Sequence, residues 1–376
     1  MNKPVELTHN RICPSTEEIL RTHAAYYKMM QPTDAVKLLY QAAFGPGHMI
    51  SDFSTALART KAELESVAER PQTCDGHAPY EDIGGGYVRM YLVPSVDPDY
   101  TASLTTLLFA HSATDTSDRR ESFLDSLEVL RRLTVEGIFA FTSEELETYL
   151  DGYIAAGMPP VSHSEAYRTA YHPAYRVIRR DYFELLPVIL DIFTDLRNSN
   201  DANEDSVWFI DGMCGSGKST LASLLADLFD ARLIHMDDFF LPPEKRTPER
   251  LGEPGGNVDY ERFRDEVIEH INDESLTYGV FDCSEMAVTS ALTLSKKKLT
   301  IIEGSYSCHP YFDEGNTSAN GFRIWIECDP EEQKRRILER NGEEMLRMFI
   351  SRWIPMEEKY SEAFGIREKA DYIIRT

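Results

Sequence analysis

Val207-Trp208-Phe209-Ile210-Asp211-Gly212-Met213-Cys214-Gly215-Ser216-Gly217-Lys218-Ser219-Thr220 is the stretch that decides the fold. The apolar run Val207–Asp211 predicts a short buried strand. Ser219–Phe229 predicts a helix, with Leu221, Leu224, Leu225 and Leu228 at core spacing. Between them, Gly212–Ser219 satisfies G-x-x-x-x-G-K-[ST] in the strand–turn–helix context that gives the pattern its meaning. The glycines let successive backbone N–H groups turn inward and approach phosphate oxygens without a Cβ in the way. The helix start adds its dipole to the anion site. Lys218 places a point charge on the β- and γ-phosphates, and the Ser219 hydroxyl can ligate Mg²⁺. The candidate nucleotide-binding set is therefore Gly212, Cys214, Gly215, Ser216, Gly217, Lys218, Ser219 and Thr220. A triphosphate such as ATP, with Mg²⁺, is the expected ligand.

Working outward, short strands alternate with helices to the end of the chain. Strands are expected at Arg232–Met236, Leu299–Glu303, Phe322–Cys328 and Tyr372–Ile374, and helices at 259–272, 330–341 and 343–364. This alternation predicts a doubly wound parallel α/β sheet with a helical lid, and ligands at the carboxyl ends of the strands. Upstream, residues 197–205 carry no large apolar side chain and read as a linker. The expected organisation is an α-rich N-terminal domain over 1–198 and a P-loop domain over 205–376. In the first domain, capping boxes at Ser15/Glu18 and Thr142/Glu145 open helices. Further helices are expected near 33–44, 52–70 and 164–196, the last broken at His172-Pro173, and only Gly86–Val93 reads as strand.

Three more features fall at the predicted strand ends. Asp237-Asp238 follows the strand Arg232–Met236, where a carboxylate can take a proton from an attacking hydroxyl; Asp237 is the candidate base. Glu303 ends another buried strand, the usual place for a second contact to Mg²⁺, here paired with Ser219. Arg336 and Arg340 are i,i+4 neighbours that can converge on phosphates from a lid, although Glu332 and Glu339 offer each a plain surface ion pair.

With these residues in place, the C-terminal half resembles the uridine kinase branch of P-loop small-molecule kinases, relatives of phosphoribulokinase and bacterial pantothenate kinase. The likeness rests on the phosphate loop, Asp237–Pro242, Pro254–Tyr260, Glu303–Tyr306, Arg335–Arg340 and Trp353–Glu358. It implies that Asp237 is the general base, Lys218 the phosphate lysine and Asp259 the clamp on the acceptor's sugar hydroxyls. Arg336 and Arg340 match the family's lid arginines. Tyr260, Phe281 and Tyr306 complete the acceptor candidates. The segment Tyr278–Ser284 keeps aromatics but has no histidine where nucleoside kinases of this branch carry one. The implied reaction is phosphoryl transfer from ATP to a small-molecule hydroxyl, with a nucleoside as first candidate. A sugar or vitamin-like alcohol, or a nucleotide-sensing switch, stands as the alternative.

In the N-terminal half the candidates are His48, Gly84-Gly85-Gly86 with Arg89, and His163, His172 and Arg176. His163 and His172 lie nine apart, unlike metal pairs on a helix. Tyr167, Tyr171 and Tyr175 recur every four residues, as core aromatics on a helix do. Scaffold, homo-oligomer contact and ligand pocket are all open to this half. The 376-residue chain has 39 basic and 63 acidic residues and a net charge of −24, which argues against nucleic acid and anionic membrane as partners. No apolar run approaches the ~20 residues of a membrane span. Scattered cysteines and an opening without an apolar h-region lead us to expect a cytoplasmic protein.

Overall fold

The computed structural model describes residues 3–9, 14–69, 79–113, 119–198, 206–313 and 321–376. The chain divides into two compact units. One takes in the N-terminal residues up to Asn10 and everything from Pro187 on; the other is Arg11–Leu186.

The first unit is built on six strands: β1 (Val5–Thr8), β2 (Ser206–Gly212), β3 (Arg232–His235), β4 (Leu299–Glu303), β5 (Arg323–Glu327) and β6 (Tyr372–Arg375). Their order across the sheet is β1-β6-β5-β2-β4-β3, and every pairing is parallel. β4 is buried along its whole length and β2 nearly so, which explains their near-continuous apolar sequences. The helices that matter to the site are α1 (Lys218–Phe229), α2 (Tyr260–Glu266), α3 (Pro330–Met348) and α4 (Ile354–Phe364). One core joins Phe209, Ile234, Phe239, Phe263, Ile302 and Tyr360. Among the described residues no helix is long and apolar enough to cross a membrane.

Several details differ from the sequence expectation. β1, placed by its position in the chain with the N-terminal helices, instead extends the sheet beside β6, with Val5 opposite Tyr372 and Thr8 opposite Arg375. Three of its four residues are exposed, so backbone pairing holds it and no apolar pattern announces it. The expected helix over 259–272 stops at Glu266 and is followed by a 3₁₀ turn, Ile268–His270. An antiparallel hairpin, Ser275–Asp282 with Ala287–Ser295, was not foreseen. The expected break between 341 and 343 is present within α3, where Gly342 takes φ 78°, ψ 174°.

The second unit is α-rich, with helices including Thr16–Tyr26, Pro32–Phe44, Phe53–Ala68 and Ser143–Ala155. Both capping boxes are formed, Ser15 with Glu18 and Thr142 with Glu145. The sheet is larger than expected. Tyr80–Gly84, Tyr87–Tyr91 and Tyr175–Arg179 make three antiparallel strands. Thus Tyr175 leaves the helix on which Tyr167 and Tyr171 stand. His172 ends that helix in a left-handed conformation, and the buried run Tyr175–Ile178 continues as strand. Gly84, Gly85 and Gly86 form the hairpin turn, all with positive φ. A Cβ on Gly85 would lie 1.8 Å from the Ala42 carbonyl oxygen, so Gly85 serves a close backbone approach.

Candidate functional site

The phosphate loop joins β2 to α1. Gly212, Gly215 and Gly217 adopt φ of 148°, 72° and 104°, and a Cβ on Gly212 would sit 2.1 Å from the Ile326 carbonyl oxygen. Glycine is required there by contact as well as by conformation. The buried Lys218 ammonium donates to the Gly212 and Met213 carbonyl oxygens at 2.9 and 3.0 Å. Ser216 Oγ is buried and has no hydrogen-bond partner among the described residues. An orphaned hydroxyl beside a curled lysine fits a group rich in acceptor oxygens, as a phosphate is. Ser219 and Thr220 are exposed on the first turn of α1.

An unforeseen carboxylate fixes the loop's start. Asp211, 1% exposed, accepts from the N–H groups of Gly212, Tyr306 and Cys308 at 2.7, 3.1 and 3.0 Å, and from the Tyr360 hydroxyl at 2.9 Å. Burial pushes its carboxyl up to about 6, against the pull of these donors and of Lys218. Glu357 of α4 is a second one. It accepts from the Cys214 N–H at 2.8 Å and from the Ser305 hydroxyl at 2.9 Å, so it ties the phosphate loop to the turn after β4. The Cys214 N–H is thereby committed away from any ligand, while Gln333 donates to the Cys214 carbonyl oxygen at 2.8 Å.

At the ends of β3 and β4 the acids meet. The buried Glu303 accepts from Ser219 Oγ at 3.2 Å and lies 2.5 Å from His235 Nδ1. The hydrogen bond to Glu303 raises the His235 pKa, with the charges of Glu303, Asp238 and Asp237 adding to it against burial. Asp237 is open to water yet crowded by protein, and this desolvation raises its pKa. Lys218 and His235 oppose the rise, and Glu303 and Asp238 add to it. Among the described residues no three His, Cys, Asp or Glu side chains cluster as a metal cage. A site with only Ser219 and Glu303 fits Mg²⁺, which keeps most of its water and phosphate ligands.

The other expected residues divide. Asp259 is 1% exposed, caps α2 through the Arg262 N–H, and binds Lys245 at 2.7 Å. Tyr260 is half-buried, with the Arg250 guanidinium 3.6 Å above its ring and its hydroxyl donating to Glu253. Phe281 and Tyr306 are buried at 5% and 2% exposure, and the Tyr306 ring packs edge-on to Tyr360. Arg336 is turned to the back of the phosphate loop. It donates to the Gly215 and Ser216 carbonyl oxygens, to Thr376 Oγ1 and to Glu332. Arg340 is exposed, just before the Gly342 break, and bonds Asn341. The structure thus brings Lys218, Ser219, Glu303 and Asp237 to the carboxyl ends of the strands, while Arg336 and Arg340, on one helix, bind different partners.

A parallel sheet whose β2–α1 turn is this loop is the α/β fold of P-loop NTPases. The structure is similar to that of a possible uridine kinase from Bacillus stearothermophilus, with 21% identity over 50% of this chain and 98% of that one, at a TM-score of 0.36. It is also similar to the D-glycerate 3-kinase from Cryptococcus neoformans, with 16% identity over 51% of this chain and 95% of that one, at a TM-score of 0.36. The resemblance to P-loop kinase structures thus covers about half of the chain. No protein-family model matches the chain, and no curated protein matches it.

In the second unit, the expected residues enter an internal polar network. Arg89, 1% exposed, donates to Gln41 and Glu81 and lies 4.7 Å from the Tyr175 ring centre. His163 bridges Asp34 at 2.9 Å and the Tyr175 hydroxyl at 2.7 Å, and burial pushes its pKa down to about 4. Arg176 binds Glu63 and Thr60. His48 is exposed on a 3₁₀ turn with its ring against Tyr40, and His172 is the left-handed helix cap.

Proposed function

We propose that the chain transfers the γ-phosphoryl group of ATP to a hydroxyl of a small molecule, a nucleoside being the first candidate. The observation that carries this reading is that Asp237 feels the charges of Lys218 and Glu303, and Ser219 bonds Glu303, at the carboxyl ends of the strands. A sensor of nucleotide has no need of a proton acceptor there.

In this reading the phosphate loop and Lys218 hold the triphosphate, and Ser219 and Glu303 hold Mg²⁺, which neutralises charge on the phosphates when bound. Asp237 accepts the acceptor's hydroxyl proton; its raised pKa suits that task. Arg340, exposed just before the Gly342 break, approaches the transferred group from the lid and helps to exclude water. Asp259 takes the acceptor's hydroxyls after exchanging its bond to Lys245. Phe281 and Tyr306 act from behind the cleft surface by holding its walls.

The test is ADP release with ATP and Mg²⁺ against nucleosides, sugars and other polyols. One acceptor should raise release well above the water background. Asp237→Asn should leave ATP affinity near that of the wild type and cut acceptor-dependent turnover by a factor on the order of 10² or more. A flat panel with ATP binding intact would turn the reading toward a nucleotide switch. A polyol accepted without regard to any base would replace the nucleoside.

A further inference from the structure

The hairpin beside α2 has one anchored strand and one bare one. The inner strand Ser275–Asp282 buries Leu276 and Tyr278, and α2 holds its Gly279 through Glu266 and Arg262. The outer strand Ala287–Ser295 pairs with the inner one on one side, and among the described residues no strand pairs with its other side. Eight of its nine residues are exposed. A bare edge displays unpaired N–H and C=O groups and invites another strand, so soluble proteins blunt such edges with charge or proline. Ala287-Val288-Thr289-Ser290-Ala291-Leu292-Thr293-Leu294-Ser295 has neither, in a chain that is 27% charged. Val288 and Leu292 stand 47% and 38% exposed. Leu292 shares the face of Leu294, while a bulge opposite Val280 and Phe281 sets Val288 on the other face, against Gly279.

We infer that this strand pairs antiparallel with the same strand of a second copy, joining two hairpins into a four-stranded sheet. Charge selects that occupant. The strand is preceded by Asp282 and Glu285 and followed by Lys296, Lys297 and Lys298. An antiparallel copy sets the acidic end of each strand against the basic end of the other, whereas a parallel copy would set like on like. Lys297 is also held at 2.6 Å by Asp230, the residue that caps α1. Residues 282–298 carry a net +1 in a chain of net −24, so the repulsion between two copies is weak here. With the pairing centred on Ser290, the strand of each copy runs beside the exposed Leu292 of the other and covers it. This inference does not depend on the kinase reading.

Sedimentation of the full chain across a wide concentration range tests it. The wild type should sediment as a dimer. Leu292→Lys, at an exposed position, should raise the dimer dissociation constant by a factor on the order of ten or more, because an edge lysine opposes strand addition. Its circular dichroism and melting temperature should match the wild type. A second variant keeps the test open whatever Leu292→Lys does to the fold. In a Cys283→Ser background, Ser290→Cys should form an inter-copy disulfide under mild oxidation, while Ser295→Cys should not. A wild type that stays monomeric at every concentration overturns the inference. So does a dimer that Leu292→Lys leaves intact and Ser290→Cys fails to link.

Discussion

Glu357 is buried and, among the described residues, has no ion-pair partner, which is costly unless donors surround it. Its two donors, Cys214 N–H and Ser305 Oγ, come from the phosphate loop and from the turn after Glu303, so one side chain sets the spacing of both halves of the site. Glu357→Ala leaves both donors unpaired and should cost about 1–3 kcal/mol for each buried group left unsatisfied. Urea unfolding measures the loss. Glu357→Gln, which keeps the volume and one acceptor oxygen, should lose less, and equal losses would show that the retained oxygen contributes nothing. At this scale the sequence was legible where chemistry is local: eight contiguous residues announce the loop. Asp211, His235 and Glu357 were not, because what gives them meaning is a partner from another segment. Glu357 and Cys214 are 143 residues apart.

Among the elements, strands β5 and β6 and the short helix Ile366–Lys369 are joined at one end by Glu327, which accepts from Arg367 at 2.7 and 3.0 Å and from Arg375 at 2.9 Å. These bonds, Arg367 first, pull its pKa down to about 2 from 4.5. A carboxyl depressed by folding adds stability above its unfolded pKa and loses it as pH falls toward the folded one. Glu327→Gln should therefore be less stable than the wild type at neutral pH, by about 1–3 kcal/mol. The gap should close as pH falls from about 4.5 toward 2, as denaturant midpoints at several pH values would show. A gap independent of pH would place the loss in packing. The elements themselves were legible wherever burial imprints a period: β2, β4 and α1 are all but given by their apolar residues. β1 and Ala287–Ser295 are exposed and left no such mark. Tyr175 was misplaced because tyrosines four apart imitate a helix, whereas a left-handed His172 and a buried run convert the chain to strand.

For the whole molecule, each unit has a core of its own, one around Phe263 and Ile302 and one around Leu38 and Phe123. Damage confined to one core should leave the other's chemistry standing. The glycine triplet gives a clean way to test this. Gly85 and Gly86 have φ of 62° and 84°, but a Cβ meets Ala42 O at 1.8 Å on Gly85 and nothing within 4 Å on Gly86. Gly86→Ala therefore carries only the left-handed penalty of roughly 1–2 kcal/mol. Gly85→Ala adds a displacement of the helix Pro32–Phe44 worth about 1–3 kcal/mol more. Calorimetry should show Gly85→Ala lowering one transition by more than Gly86→Ala does. Nucleotide affinity measured below that transition should match the wild type in both variants. Affinity that falls in step with the stability of residues 11–186 would overturn this independence of the two cores.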